Sequence, residues 1–392
     1  MADYLENLVD VPVAPIGIIA MPGCEELGKK IDFYMVKWRK EREHEHKSDL
    51  DFRGYERESF LIDVVCPRFG SGEAKGLIRE SVRGLDLYIV TDCFNYGVEY
   101  TMYGKKVPMS PDDHYADLKR IIGASAGKAR RINVIMPMLY EGRQHRRTSR
   151  ESLDCATALQ ELAAMGVTNI ITFDAHDPRI QNAIPDHGFD NVMPTYQMIK
   201  ALVNNVPDIE IDPEHLMIIS PDEGAMARGI YFSSVLGVDL GMFYKRRDYS
   251  RVVNGRNPIV AHEYLGADVA GKDLIIVDDM ISSGDSVLDL GKKLKELNAR
   301  NIYVCTTFGL FCNGLEHFDE AYKAGYFKRV FTTNGIYTTP ELLAREWYCP
   351  VDLSKYIAYI LDTLNHDASI SGLLDPHTKI NNLLIKKGKK NA

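Results

Sequence analysis

Short apolar runs alternate with amphipathic stretches along most of this chain. "RINVIMPML" (131–139) and "NIITFD" (169–174) read as buried strands, and "SLDCATALQELAAMG" (152–166) between them has helical spacing. After Pro185 the alternation resumes. "LMIIS" (216–220), "VDLGMFYK" (238–245), "DLIIVDD" (273–279) and "NIYVCTTFGL" (301–310) read as strands separated by helical segments. Apolar runs of this length between helices predict parallel sheets covered on both faces. The two halves look alike in architecture, without a clear residue-level repeat. Nearer the N-terminus, "CEELGKKIDFYMVKWRK" (24–40) places Leu27, Ile31, Tyr34 and Met35 on one helical face. At the other end, "VDLSKYIAYILDTLNHDASISGLL" (351–374) is helical, and the lysine-rich "KKGKKNA" (386–392) reads as a frayed tail.

One strand end raises a chemical question. In "DLIIVDDMISSGDS" (273–286) a buried run meets Asp278 and Asp279, then a turn stripped of bulk, then the helical "VLDLGKKLKEL". Ligands of open parallel sheets bind beyond the C-terminal strand ends. Small residues let backbone N–H groups approach an anion, and the following helix adds its positive end. Ser282, Ser283 and Ser286 supply hydroxyls around Gly284 and Asp285. The two acids would repel a bare phosphate, so they make sense facing sugar hydroxyls or a magnesium-bound group. A plain strand-to-helix turn with an N-cap explains one acid or one serine, but not the whole set.

Composition narrows the class. The 392 residues are 45% hydrophobic and 26% charged, which is ordinary for two or three globular domains. The formal net charge of -8 argues against nucleic acid as a partner. The N-terminal "MADYLENLVD" is acidic where a secretory signal is basic, and "VPVAPIGIIAMPG" is too short and too proline-broken to cross a bilayer, so no membrane partner is expected. Seven scattered cysteines without a CxxC pair fit a reducing cytoplasm rather than a disulfide framework or a zinc site. "EREHEHKSD" offers His44 and His46 to a metal, although a solvated charged segment is the plainer reading. Against the acidic average, "GRQHRRTSR" (142–150) is basic.

"VDDMISSGDS" resembles the loop with which the phosphoribosyltransferase superfamily binds 5-phosphoribosyl 1-diphosphate or ribose 5-phosphate. Five other segments come in the order found in ribose-phosphate diphosphokinases: "RFGSGEAKGLIRESVRGLDLYIV" (68–90), "INVIMPMLYEGRQHRRTSRESLD" (132–154), "FDAHDPRIQNAIP" (173–185), "ISPDEGAMARG" (219–229) and "YKRRD" (244–248). The resemblance covers roughly residues 60–340. It implies an α/β fold of two tandem type I phosphoribosyltransferase-like domains, with mainly parallel sheets covered by helices and the active site between them. The expected division is residues 1–195, joined by a C-terminal segment 345–392, on the ATP side, and residues 196–344 carrying the ribose 5-phosphate loop.

The resemblance also implies an activity: magnesium-dependent transfer of the diphosphoryl group of ATP to the C1 hydroxyl of ribose 5-phosphate. Such a step is catalysed mostly by positioning and charge neutralisation. By resemblance, Arg143 and Gln144 contact ATP, an arginine fork suiting phosphate oxygens. Phe69 and Glu73 match the adenine-side residues, which in this family reach a neighbouring subunit's site and so imply a homo-oligomer, a dimer or hexamer. His176 and Asp222 match the magnesium site, with Asp174 supporting His176. Lys245 and Arg247 match the cations that stabilise the transferring group, and "YSRVVNGRNPIVAHEY" (249–264) reads as a lid after them. Some positions depart from the family pattern. Ser71 and His145 stand where aspartates are usual, on the ATP side, and the loop carries its acid at Asp285 rather than at Ser282. Two other readings stay open: a phosphoribosyltransferase using the same loop, and a non-catalytic regulatory relative.

Overall fold

The computed structural model describes residues 11–44, 54–247 and 259–389. The chain divides into two compact units. The first holds residues up to Met193, with Asn334–Tyr337 and Asp352–Asp375; the second holds Pro194–Thr333, Thr338–Val351 and the residues from Pro376 onward.

The first unit begins with β1 (Ile16–Ala20) and α1 (Glu25–His44). Two short strands follow, β2 (Val64–Val65) and β3 (Leu77–Ile78), and then the buried β4 (Asp86–Val90). A hairpin of β5 (Glu99–Met102) and β6 (Lys105–Pro108) leads into α2 (Pro111–Ser125). That helix starts where Ser110 and Asp113 cap each other's backbone N–H groups and Pro111 presets the first turn. β7 (Arg131–Ile135), α3 (Asp154–Ala164), β8 (Asn169–Phe173) and β9 (Gly188–Val192) complete the sequence. The sheet order is β1-β4-β7-β8-β9, parallel at every pairing. The strand expected over 131–139 ends at Ile135, just before Met136 and Pro137, which has no N–H for a ladder.

The second unit is built on α4 (Thr195–Asn205), β10 (Leu216–Ser220), α5 (Met226–Leu236), β11 (Asp239–Arg247) and β12 (Ile259–Leu265). β13 (Asp273–Ile281), α6 (Asp285–Glu296), β14 (Ile302–Gly309), α7 (Glu316–Lys323), β15 (Arg329–Thr333), α8 (Pro340–Leu343) and β16 (Tyr348–Val351) follow. Its seven-stranded sheet runs β12-β11-β10-β13-β14-β15-β16 and is parallel except for the β11–β12 pair. The segment expected to be an irregular lid therefore includes a strand from Ile259 on, while residues 248–258 lie outside the described residues. β10 and β13 are neighbours, yet the chain leaves them in opposite directions, to β11 and to β14. Such a reversal opens a crevice beyond the strand ends.

The chain returns to the first unit at Asp352–Asp375, where α9 (Ser354–Asn365) lies against α1, followed by α10 (Ser371–Leu374). Trp38 stacks on Tyr359 with ring centroids 4.3 Å apart. Beneath them, Arg39 and Arg42 both pair with Asp362, and Arg39 also meets Asn365 and His366, all of them buried. The final helix, α11 (His377–Lys386), belongs to the second unit, not to the first as expected for 345–392 as a whole. The part of the lysine-rich end that is described, up to Lys389, is held in place, and residues 390–392 lie outside the described residues. Ile380 and Leu384 are fully buried against Met198 and Leu202 of α4, and Lys389 donates to the carbonyl of Pro207. The apolar face of "HTKINNLLIK", just before the lysines, makes this contact.

Candidate functional site

In the second unit, β13 carries both acids through to its C-terminal end. Asp279 is buried, and its backbone N–H donates to the Asp278 carboxylate at 2.9 Å. Burial, with Asp279 and Asp222 adding negative charge, holds the Asp278 carboxyl well above the usual carboxylate range. Arg228, on the first turn of α5, reaches Asp279 at 4.0 Å with both side chains largely buried. Asp222 sits just past the end of β10, where its Oδ1 accepts from the N–H groups of Gly224 and Ala225. Its capping role is thus real, and it also places the carboxylate beside the β13 acids. Asp222, Asp278 and Asp279 thus concentrate negative charge at adjacent strand ends.

Ser282, Ser283 and Gly284 make the turn that joins β13 to α6, whose first turn holds Asp285 and Ser286. Gly284 has φ +95°, and a Cβ there would come within 2.3 Å of the Phe318 ring. The turn can be this tight only with glycine. A second turn, after β14, supports it: the N–H groups of Leu310 and Cys312 donate to the carbonyls of Ile281 and Ser282, and Phe311 packs edge-on against Phe318. The exposed Cys312 thiol lies 3.9 Å from the Ser282 hydroxyl. A helix N-terminus, a turn without bulk and carboxylates on the strand before it can together hold a small anion and accept from hydroxyls attached to it.

In the first unit, Arg143, Gln144 and His145 lie in the connection from β7 to α3, and His176 follows β8, the neighbouring strand. The Gln144 side chain donates to the Ser152 carbonyl at 3.1 Å and Arg143 is exposed. The structure brings His145 and His176 together, with ring centroids 5.4 Å apart. His145 Nε2 lies 3.5 Å from Asp177, whose carboxyl Arg179 holds below the usual range, while the buried Nδ1 of His145 has no hydrogen-bond partner. Asp174 is buried just past β8 with φ +44°, a left-handed conformation uncommon for non-glycine residues but one that aspartate adopts more readily than most.

Phe69 and Glu73 flank a tight turn in which Phe69 N–H donates to the Glu73 carbonyl and Gly72 N–H to the Phe69 carbonyl. The Ser71 hydroxyl donates to the Glu73 carboxylate at 2.9 Å. Where the family pattern has a second acid, this chain thus has a donor that restrains the first. Lys245 and Arg247 lie on β11 opposite His262 and Ile259, but their side chains are outside the described residues, as are those of His44 and His46. Reading motifs alone missed Arg228 and Cys312. Arg228 was legible inside "PDEGAMARG", since an arginine one turn into a helix after a strand-end acid faces the same crevice; nothing local signals Cys312. Among the described residues, the metal-compatible cluster is Glu210, Asp212 and His215, at the opposite end of β10 from Asp222, where Arg300 pairs with Glu210. No described helix is long and apolar enough to cross a membrane.

Residues 16–166 match the family model for the N-terminal domain of ribose phosphate pyrophosphokinase, and residues 194–345 match the phosphoribosyl transferase domain. The ribose-phosphate pyrophosphokinase of a Nostoc species is 27% identical over 316 residues, covering 80% of this chain and 86% of that one. That of Chlorobaculum tepidum is 25% identical over 366 residues, covering 92% and 95%. The crystal structure of phosphoribosylpyrophosphate synthetase from Mycobacterium smegmatis shares the fold, with TM-score 0.69 at 18% identity over 90% of this chain and 99% of that one. With two phosphoribosyltransferase-type domains matched in order across most of its length, the chain belongs to the ribose-phosphate pyrophosphokinase family of enzymes.

Proposed function

We propose that this chain transfers the diphosphoryl group of ATP to the C1 hydroxyl of ribose 5-phosphate, giving 5-phosphoribosyl 1-diphosphate and AMP. The observation that carries the reading is the strand end of β13: two carboxylates, a glycine-tight turn and a helix N-terminus in succession. In this reading Ser282, Ser283, Gly284, Asp285 and Ser286 cradle the 5-phosphate, with backbone N–H groups and hydroxyls donating to its oxygens. Asp278 and Asp279 accept from the ribose hydroxyls and fix the sugar so that its C1 oxygen faces the donor. Arg228 balances the charge of Asp279 and keeps that carboxylate aimed.

Arg143 and Gln144 bind the ATP phosphates, and Phe69 and Glu73 bind the adenine. His145, at the Arg143 end of the same loop, completes the nucleotide side. His176 and Asp222 hold magnesium, which neutralises phosphate charge when bound. Lys245 and Arg247 stabilise the charge on the transferring group. The chain works as a homo-oligomer in the cytoplasm, a location supported by seven free cysteines of which five are buried.

The test is AMP release from ATP and magnesium, separated by chromatography, with and without ribose 5-phosphate. AMP formed only with the sugar phosphate supports diphosphoryl transfer; ADP, or no change in ATP under any divalent metal, refutes it. A second expectation concerns the turn. Gly284→Ala forces a side chain into the Phe318 ring at positive φ. It should lower stability by at least about 1–2 kcal/mol and raise the KM for ribose 5-phosphate more than that for ATP, read by calorimetry and by initial rates.

A further inference from the structure

Between β5 and β6 the chain turns on Tyr103 and Gly104, both at positive φ, +47° and +76°. Met102 pairs with Lys105 across the turn, so it is a two-residue hairpin. Such turns favour Asn, Asp or Gly at the first position, and a bulky ring there is disfavoured by the backbone. Burial does not compensate, because Tyr103 is 80% exposed. The sequence therefore keeps a large aromatic where the local backbone opposes it and the core gains nothing. Strain of this kind is a pointer to function.

The tip is also held in place. Tyr103 N–H donates to the Gly70 carbonyl at 2.9 Å, inside the turn that carries Phe69 and Glu73. Tyr100 and Met102, on one face of β5, cover the same loop: Met102 Sδ lies 2.8 Å from where a Cβ on Gly72 would stand, and the Arg68 guanidinium lies over the Tyr100 ring at 4.9 Å. Arg68 is anchored in turn by Asp117 at 2.6 Å. Two hairpin tips are thus fixed to each other, and each presents an aromatic ring to solvent, Phe69 being 55% exposed.

We propose that Tyr103 is a second aromatic of the nucleotide lobe, stacking with Phe69 on the purine ring of the donor. This rests on the reading above in which Phe69 and Glu73 contact ATP. A flat, exposed ring fixed by its backbone offers a π face without hydrogen-bond selectivity, so it favours the larger base by area. Glu73, restrained by Ser71, supplies the acceptor for an exocyclic amino group.

The test is calorimetric titration of the full chain with ATP and with CTP, in the wild type, Tyr103→Asn and Tyr103→Phe. Asparagine suits the turn, so the melting temperature of Tyr103→Asn should hold or rise, and misfolding does not explain a loss. The expected result is ATP binding weakened about tenfold in Tyr103→Asn, near wild type in Tyr103→Phe, with a smaller loss for CTP. Wild-type affinity for ATP in Tyr103→Asn overturns the inference, as does a wild type that does not bind ATP. A wild type that binds ATP without releasing AMP refutes the proposed reaction instead, and leaves the stacking role to be decided by the affinities.

Discussion

Asp279→Ala is expected to raise the KM for ribose 5-phosphate by about 10- to 100-fold, with little effect on the KM for ATP. The estimate follows from losing one charge-assisted hydrogen bond to a sugar hydroxyl, worth about 1.5–3 kcal/mol. The change also leaves Arg228 largely buried without the carboxylate it faces at 4.0 Å. Asp278→Asn separates catalysis from folding. Burial first, then Asp279, holds the Asp278 carboxyl high, so its folded-state pKa lies above the unfolded one. The stability linked to that proton is complete below the unfolded value and is lost as pH rises through the folded one. The asparagine carries no such penalty, so at neutral pH the variant should melt higher while using ribose 5-phosphate less well. A gain in stability with a loss of function marks a residue retained for its chemistry. Melting curves and initial rates on the same preparation check both halves. Unchanged KM values in both variants would place the sugar elsewhere.

The largest expected effect on folding lies in the first unit. Arg39 and Arg42 of α1 both pair with Asp362 of α9, and all three are buried. Asp362→Ala leaves two guanidinium groups out of water without their counter-charge, a loss of about 3–5 kcal/mol. For a domain of this size that lowers the melting temperature by about 10 °C. The same network predicts acid sensitivity. Burial alone would raise the Asp362 carboxyl, but Arg39 and Arg42 pull it down to about 2, from 3.8. Burial lowers the His366 imidazole from 6.5 to about 4. Both folded-state values are depressed, so the folded state binds fewer protons and stability is full above the unfolded values. It should fall first as pH drops from about 6.5 towards 4, as the unfolded chain takes up the His366 proton, and again between 3.8 and about 2 for Asp362. Denaturant titrations across that range in wild type and His366→Gln check this, the first fall becoming smaller in the variant while the share of His114, also lowered by burial, remains.

The parts of the fold that were legible share a cause. β10, β13 and β14 are each built on a continuous, largely apolar buried run flanked by helices, and burial on both faces leaves no ambiguity of period. The β13 strand end was legible because chemistry and local structure coincide there: two acids, then small residues, then a helix. The β5–β6 hairpin was not, because its half-exposed strands pair only with each other and with one loop, which leaves no apolar run to notice. The destination of the chain end was also hidden. α9 and α11 are both amphipathic, and nothing local says that one joins the first unit and the other the second. Arg228 and Asp279 are far apart in sequence, so their pairing depends on β10 and β13 being neighbours, which only the sheet order reveals.

The most direct measurement of the central claim is phosphorus NMR of ATP, magnesium, ribose 5-phosphate and the purified chain, followed to completion. AMP and a diphosphate ester on the sugar C1 are expected in equal amounts, with no signal without the sugar phosphate and a strongly slowed signal in Asp279→Ala. ADP with a monophosphate ester on the sugar, or free diphosphate released only when a purine or pyrimidine base is added to 5-phosphoribosyl 1-diphosphate, would contradict it.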